Sequence, residues 1–411
     1  MTPLDVQRAR RDFPILDRTV HDHALVYLDH AASSQRPTAV LDAMDDYYRQ
    51  HHANVHRGAH QLSAEATDLY EQARHAVAGF LGAPSARSLV FVRNATEGIN
   101  LLARAWGDAN LREGDEILVT VAEHHANLVP WQQVAQRTGA RIQAVPLDAN
   151  HRLDLDAFRD LLSPRTRVLA VGHMSNVLGV VHPIADMARM AREVGALTFV
   201  DGAQAAPHMP VDVQALGIDA YTVSAHKMLG PTGIGAVWVR EDLLEAMPPF
   251  LGGGEMIHTV EIERSTYAEI PMRFEAGTPA IAEAVGFAAA LSYLESVGLD
   301  AIWNHDRALA RYALARFDEL EGVRTFGPRG DDRGGIVPFV IDGVHPHDVA
   351  SALDAEGIAV RAGHHCAQPL MRALAVPSTV RASSYLTTTE AEIDALIDGI
   401  VQARDFFAMP T

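Results

Sequence analysis

Short apolar runs spaced by helix-length segments constrain this chain more than any other feature. LVFV (89–92), EILVT (116–120), RVLAV (167–171), LTFVD (197–201), AYTVS (220–224) and GAVWV (235–239) read as strands. Helical patterns start at Glu97, near 127–138 and at Ile184, between the first four runs. This β/α alternation predicts a mostly parallel sheet with helices on both faces. An earlier helix is expected over 64–81, with Ser63 as its N-cap and Gly82 just past its end. The rhythm changes after about residue 280. Helices at 281–297 and 301–320 lead into strand GIVPFVI (335–341), a helix at 346–356, strands at 358–361 and 379–383, and a last helix from about 389. Two domains are expected from this pattern: a large one at 25–280, and a smaller α/β one from 1–24 and 281–411.

Bulk properties exclude several classes. A net charge of −18 argues against nucleic acid and anionic lipid as partners. No apolar run approaches a membrane span, and the N-terminus lacks a signal-peptide core, so a cytoplasmic protein is expected. The single cysteine, Cys366, excludes an internal disulfide and any metal site built on several thiolates. The paired histidines lack HExxH spacing, and no metal site is expected.

Ligands of open parallel sheets bind at the carboxyl ends of the strands. Arg93, Asn94 and Thr96 follow LVFV, and His124 and His125 follow EILVT. Asn176 follows RVLAV, Asp201 and Gln204 close LTFVD, and Ser224, His226 and Lys227 close AYTVS. All are expected in one cleft. Thr96 fits either a plain helix cap or a phosphate contact at a helix N-terminus. GPTGIG (230–235) leads into a strand rather than a helix, which is the wrong context for a dinucleotide fingerprint.

Two residues invite covalent chemistry. Lys227 is the only lysine in a chain whose other 33 basic Lys and Arg positions are arginine. Arginine replaces lysine at most surfaces, but it cannot lose a proton and attack a carbonyl. Drift toward arginine would explain the arginines, and less well the survivor. Cys366 lies in RAGHHCAQPLM (361–371), near Arg361, His364 and His365. Cationic neighbours favour a reactive thiolate, whereas a lone cysteine is more usually a small buried apolar residue. Two histidines, an arginine and a glycine make a poor apolar core, which favours reactivity.

These residues resemble a family. LDHAASSQRP (28–37), NVHRGAHQLS (54–63), RNATEGINL (93–101), EHHANLVPW (123–131), SNVLG (175–179), VDGAQA (200–205), SAHKMLGPTGIG (224–235), RFEAGTP (273–279), RAGHHCAQPLM and VRAS (380–383) occur in the order seen in SufS-type cysteine desulfurases, of the class V pyridoxal-phosphate enzymes. The resemblance implies a fold-type I homodimer with a seven-stranded large-domain sheet. It implies pyridoxal 5′-phosphate held by Lys227 as a Schiff base, with Asp201 at the ring nitrogen, His124 stacked on the ring and Gln204 at the phenolic oxygen. Thr96, Ser224 and His226 would hold the phosphate, with Thr278 from the neighbouring subunit. Asn176 and Arg381 would bind the substrate carboxylate, with Arg361 close by. Segment 250–268 is expected to form a lobe near the entrance.

The implied reaction converts L-cysteine to L-alanine and leaves a persulfide on Cys366. The short cysteine loop implies transfer to a SufE- or SufU-like acceptor, toward iron–sulfur cluster assembly. A selenocysteine lyase would use nearly the same residues. A nicotinamide oxidoreductase and a non-catalytic assembly protein fit less well. Ala95, Ala225 and the pair Thr387 and Thr388 depart from the family pattern, and Ala225 would clash if its backbone needed positive φ.

Overall fold

A computed structural model describes residues 4–408. Seven strands build the large sheet: β1 (Leu89–Val92), β2 (Glu116–Thr120), β3 (Arg141–Val145), β4 (Thr166–Gly172), β5 (Leu197–Asp201), β6 (Ala220–Ser224) and β7 (Gly235–Val239). Their order is β1-β7-β6-β5-β4-β2-β3. The five strands from β6 to β3 run parallel, while β7 is antiparallel to both of its neighbours. Six strands lie where the apolar runs place them. β3 was not anticipated: it is an edge strand with only Val145 buried, so it carries no continuous apolar signal.

Alternate residues feed two cores, as a pleated strand requires. Leu118, Leu169, Val200 and Val223 face a core shared with Gln61–Phe80, Ile184–Glu193 and Ile281–Val297. Ile117, Val119, Val168, Ala170 and Phe199 face the other core, where Trp106 and Trp131 pack on Phe199. The helix expected at 64–81 spans Gln61–Phe80, and its N-cap is His60, whose ring accepts the Ser63 N–H, not Ser63. Helix Ile281–Val297 packs on Thr38–Asp46 and Gln61–Phe80, so its buried side chains belong to the large sheet's core.

The second sheet is antiparallel. It contains β8 (Val323–Thr325), β9 (Ile336–Ile341), β10 (Arg361–Gly363) and β11 (Thr379–Ser383), in the order β8-β9-β11-β10. Helices Leu299–Asp318, Pro346–Ala355 and Glu390–Ala408 cover it. The N-terminal segment joins both units. Arg10 donates to Thr387 O and pairs with Glu392, Phe13 packs edge-on against Tyr293, and Val26–Tyr27 pairs in parallel with Ile358–Ala359. Within 250–268 the chain forms an exposed hairpin, Ile257–Val260 with Ser265–Tyr267. Among the described residues no single helix is long and apolar enough to cross a bilayer.

One buried ion pair fixes the segment that follows this hairpin. Both guanidinium NH groups of Arg74 reach Glu275, at 2.6 and 2.9 Å, and Glu275 also accepts from Tyr70 O–H and Phe91 N–H. Replacing one partner strands a buried charge. Arg74→Met should therefore destabilise the fold by about 3–5 kcal/mol. Arg74→Met combined with Glu275→Gln should recover part of that loss. Denaturant unfolding of both variants beside wild type checks this.

Candidate active site

The carboxyl ends of β1, β2, β4, β5 and β6 open on one cavity of about 250 Å³. Close backbone approach at this end demands glycine. A Cβ on Gly202 would fall 2.0 Å from the Tyr221 ring, and one on Gly235 would fall 2.8 Å from Asn94 Cα. Thr96, His124, Asn176, Asp201, Gln204, Ser224, His226, Lys227, Arg361, Cys366 and Arg381 all line the cavity. Arg93 does not. Its side chain is 79% exposed and pairs with Glu97, because the turn directs it to the outer face. Thr278 also lies elsewhere, in a hollow of about 520 Å³ that it shares with Arg93 and Glu97.

The turn after β1 differs in detail from expectation. Helix Ala95–Leu101 starts two residues before Glu97, and Asn94 caps it by accepting the Glu97 N–H at 3.0 Å. Thr96 is thereby left in the first turn, with its hydroxyl free of the capping role. The Ala95 N–H donates to Ser224 Oγ at 2.8 Å, which joins this turn to β6.

Lys227 follows β6 in a short 3₁₀ turn, Ala225–Lys227. Burial lowers its pKa to about 8, with Asp201 opposing and Arg381 reinforcing the shift. The amine is thus closer to its reactive neutral form than an ordinary lysine. Burial raises the pKa of Asp201, against the pull of Lys227. Ala225 is fully buried and is not among the residues with positive φ, so the alanine fits where glycine was the family norm. Thr387 and Thr388 accept Arg10 and His305 at their carbonyls and do not line the cavity.

Burial also neutralises the histidines. His124 falls to about 3 and His226 to about 4, each further lowered by Lys227. His124 Nδ1 accepts the Ala126 N–H, which leaves the ring proton on Nε2. Gln204 is buried, donates from Nε2 to Ala31 O at 2.7 Å, and has no partner for Oε1.

Cys366 enters from the second sheet, on a strained turn. His365 and Cys366 have φ of 51° and 56°, in the left-handed region that costs about 1–2 kcal/mol for each non-glycine residue. Three bonds hold the turn: Asn176 Nδ2 to His365 O (2.7 Å), His125 N to Cys366 O (2.6 Å) and Gln368 N to His125 Nε2 (3.1 Å). His365 points inward to Thr379, and burial holds it neutral at about 3. It therefore brings no positive charge to the thiol. Cys366 is exposed, which rules out the small-buried-residue reading.

Arg381 is buried at the base of the cleft. It donates to Asn176 O and to Asp29 Oδ1, and its Nε has no partner. Arg361 donates to the other oxygen of Asp29 at 3.1 and 3.2 Å. Asp29 was not singled out in the sequence, although it lies inside LDHAASSQRP.

Comparison with known proteins places this geometry. The aminotransferase class-V family model matches residues 26–396. The chain belongs to the aminotransferase class-V family. A probable cysteine desulfurase of Streptomyces coelicolor is 52% identical over 410 residues, covering 98% of each chain. A cysteine desulfurase of Haloferax volcanii is 48% identical over 419 residues, covering 99% of this chain and 98% of the relative. The crystal structure of the Escherichia coli cysteine desulfurase CsdA is 41% identical and superposes with a TM-score of 0.92, covering 98% of this chain and all of that one. The apo cysteine desulfurase of Thermococcus onnurineus is 38% identical with a TM-score of 0.93, covering 99% of each chain.

The lone lysine permits a direct check of its environment. Reductive methylation by formaldehyde and cyanoborohydride needs the unprotonated amine. The rate at Lys227, followed by peptide mass, should rise with a midpoint near pH 8. A midpoint above pH 10 would show an ordinary, solvated lysine.

Proposed function

We propose that the protein is a pyridoxal 5′-phosphate-dependent cysteine desulfurase that moves the sulfur of L-cysteine onto Cys366. The observation that carries this reading is the meeting of Lys227, Asp201 and Cys366 in one cavity. The class V relationship over nearly the whole chain supports it.

The side chains present fit the cofactor. Gln204 Oε1 and Arg381 Nε are buried and unpartnered, the state expected of groups that bind a polar ligand. Lys227 offers an amine of lowered pKa, and Asp201 offers a carboxylate at the end of β5. When bound, pyridoxal phosphate supplies an aldehyde for the amine and a ring that accepts an electron pair from the substrate. Asp201 would hold the ring-nitrogen proton, neutral His124 would lie against the ring, and Gln204 would meet the phenolic oxygen. Thr96, Ser224 and His226 would hold the phosphate, and Asn176 would border both cofactor and substrate.

The chain's own residues then divide the work. Arg381 and Asn176 hold the carboxylate of L-cysteine, with Arg361 at the rim. Lys227 Nζ takes and returns the substrate's α-proton. Cys366 Sγ attacks the substrate sulfur. An S–S bond forms, the Cβ–S bond breaks, and its electron pair stays on carbon. The proton given up by Cys366 ends on that carbon, which completes alanine. The persulfide remains on Cys366, and the transfer is redox-neutral.

The finer parts of the reading follow from the cysteine turn. Held by His125, Asn176 and Gln368, the persulfide cannot swing far, so turnover would depend on an acceptor of SufE or SufU type. Delivery to iron–sulfur cluster assembly in the cytoplasm is the corresponding physiological role. In a homodimer, Thr278 of each chain would complete its neighbour's phosphate site. A division into 25–280 and 1–24 with 281–411 would count helix Ile281–Val297 with the small domain, although its buried side chains pack in the large sheet's core.

Alanine release from L-cysteine under reducing conditions tests the reaction. Lys227→Ala should lower the rate by 10³-fold or more, on the order expected when a covalent-catalysis residue is lost. Addition of a SufE- or SufU-like acceptor should raise wild-type turnover several-fold. Normal turnover by Lys227→Ala would contradict the whole scheme, and indifference to both acceptors would contradict the restrained-persulfide type.

A further inference from the structure

The reaction above leaves one buried acid in the cavity without a task. Glu123 lines the same cavity and is only 2% exposed. Three donors from three elements converge on it. Thr120 Oγ1, at the end of β2, reaches Oε1 at 2.7 Å; Gly172 N, at the end of β4, reaches Oε1 at 3.1 Å; Asn127 Nδ2, from the turn after His124, reaches Oε2 at 2.7 Å. Thr120 Oγ1 accepts the Ala122 N–H, so its own proton is committed to Glu123. No arginine, lysine or histidine among the described residues lies within ion-pair distance of this carboxylate.

Its position relates it to the cofactor side of the site. Gly172, which donates to Glu123, is the direct cross-strand partner of Asp201, so one residue of β4 links the two acids. The turn that Asn127 belongs to begins immediately after His124. A buried, unpaired carboxylate is costly, and leucine or methionine would fill the space at less cost. We infer that Glu123 is a positioning residue for the cofactor side of the site, fixing the His124 turn and adding a second negative charge beside Asp201. This rests on the assignment of Asp201 and Lys227 made above.

The direction of the effect follows from charge. Burial raises the pKa of Glu123 to about 7, with Asp201 reinforcing the shift and the three donors opposing it. The three donors, with the Thr120 proton committed to the carboxylate, favour the ionised form in which Glu123 acts. Asp201, Lys227, His124, His182 and His226 share the cavity with it, and Arg361, His365, Cys366 and Arg381 line it from the second sheet. A negative charge here favours protonated forms of the cofactor–lysine unit.

The test uses the pyridoxal-phosphate-loaded enzyme and its absorbance as a function of pH. Glu123→Gln keeps the shape and removes the charge, so the absorbance midpoint should fall by roughly half to one pH unit. Thr120→Val is the milder variant. It removes one donor, keeps Glu123 protonated to higher pH, and should lower the midpoint by less. A purely structural role would lower Tm and leave the midpoint in place. An unmoved midpoint in folded Glu123→Gln, or in Thr120→Val if the first variant does not fold, overturns the inference. Asp201→Asn separates the two levels: a spectrum unchanged by that variant would sink the assignment of Asp201, and this inference with it.

Discussion

Residues 29–34 hold the two sheets together at the cleft, and the site depends on that seam. Asp29 receives Arg361 and Arg381 from the second sheet. The Ala31 N–H donates to Ser383 Oγ on β11, while Ala31 O accepts Gln204 Nε2 from the turn after β5. Ser34 donates to His226 O and accepts the Leu229 N–H, bracketing Lys227 on both sides. One six-residue segment therefore sets the distance between the residues expected at the cofactor and those expected at the substrate. The buried Arg381–Asp29 bond contributes about 1.5–3 kcal/mol, and the half-exposed Arg361–Asp29 pair contributes less because solvent screens it.

Low dielectric does the rest. The protein carries a net charge of −18, yet cations gather in its cleft. Arg361, Arg381 and Lys227 bring positive charge to it, while burial keeps His124, His226 and His365 neutral. These cations stand beside the carboxylates Asp201 and Glu123, so the cleft sets both signs of charge at close range. The same burial brings Lys227 within reach of neutral pH. Cys366 is exposed, on a turn whose strain is held in place by bonds to the first sheet.

Strongly apolar strands were readable because a strand buried on both faces has little choice of residue. The polar residues that end those strands could then be assigned to one side of the sheet, and most of the cavity followed. What escaped the sequence has a physical reason in each case. β3 is exposed at the sheet edge and lacks the apolar run. Asn94 rather than Thr96 caps the helix after β1, and His60 rather than Ser63 caps Gln61–Phe80, because polar residues two or three positions apart compete and only backbone geometry decides. Arg93 follows a strand end as its neighbours do, but its side chain turns outward. Asp29 pairs with Arg361 and Arg381 far along the chain, and pairing at that range leaves no local pattern.

The central claim is that Cys366 receives the sulfur atom. The most direct measurement is the mass of the peptide spanning Arg361–Arg372 after the cofactor-loaded enzyme meets L-cysteine without an acceptor or reductant. The account predicts one added sulfur on Cys366, formed in step with a first equivalent of alanine. Alanine released while that peptide keeps its original mass would contradict it.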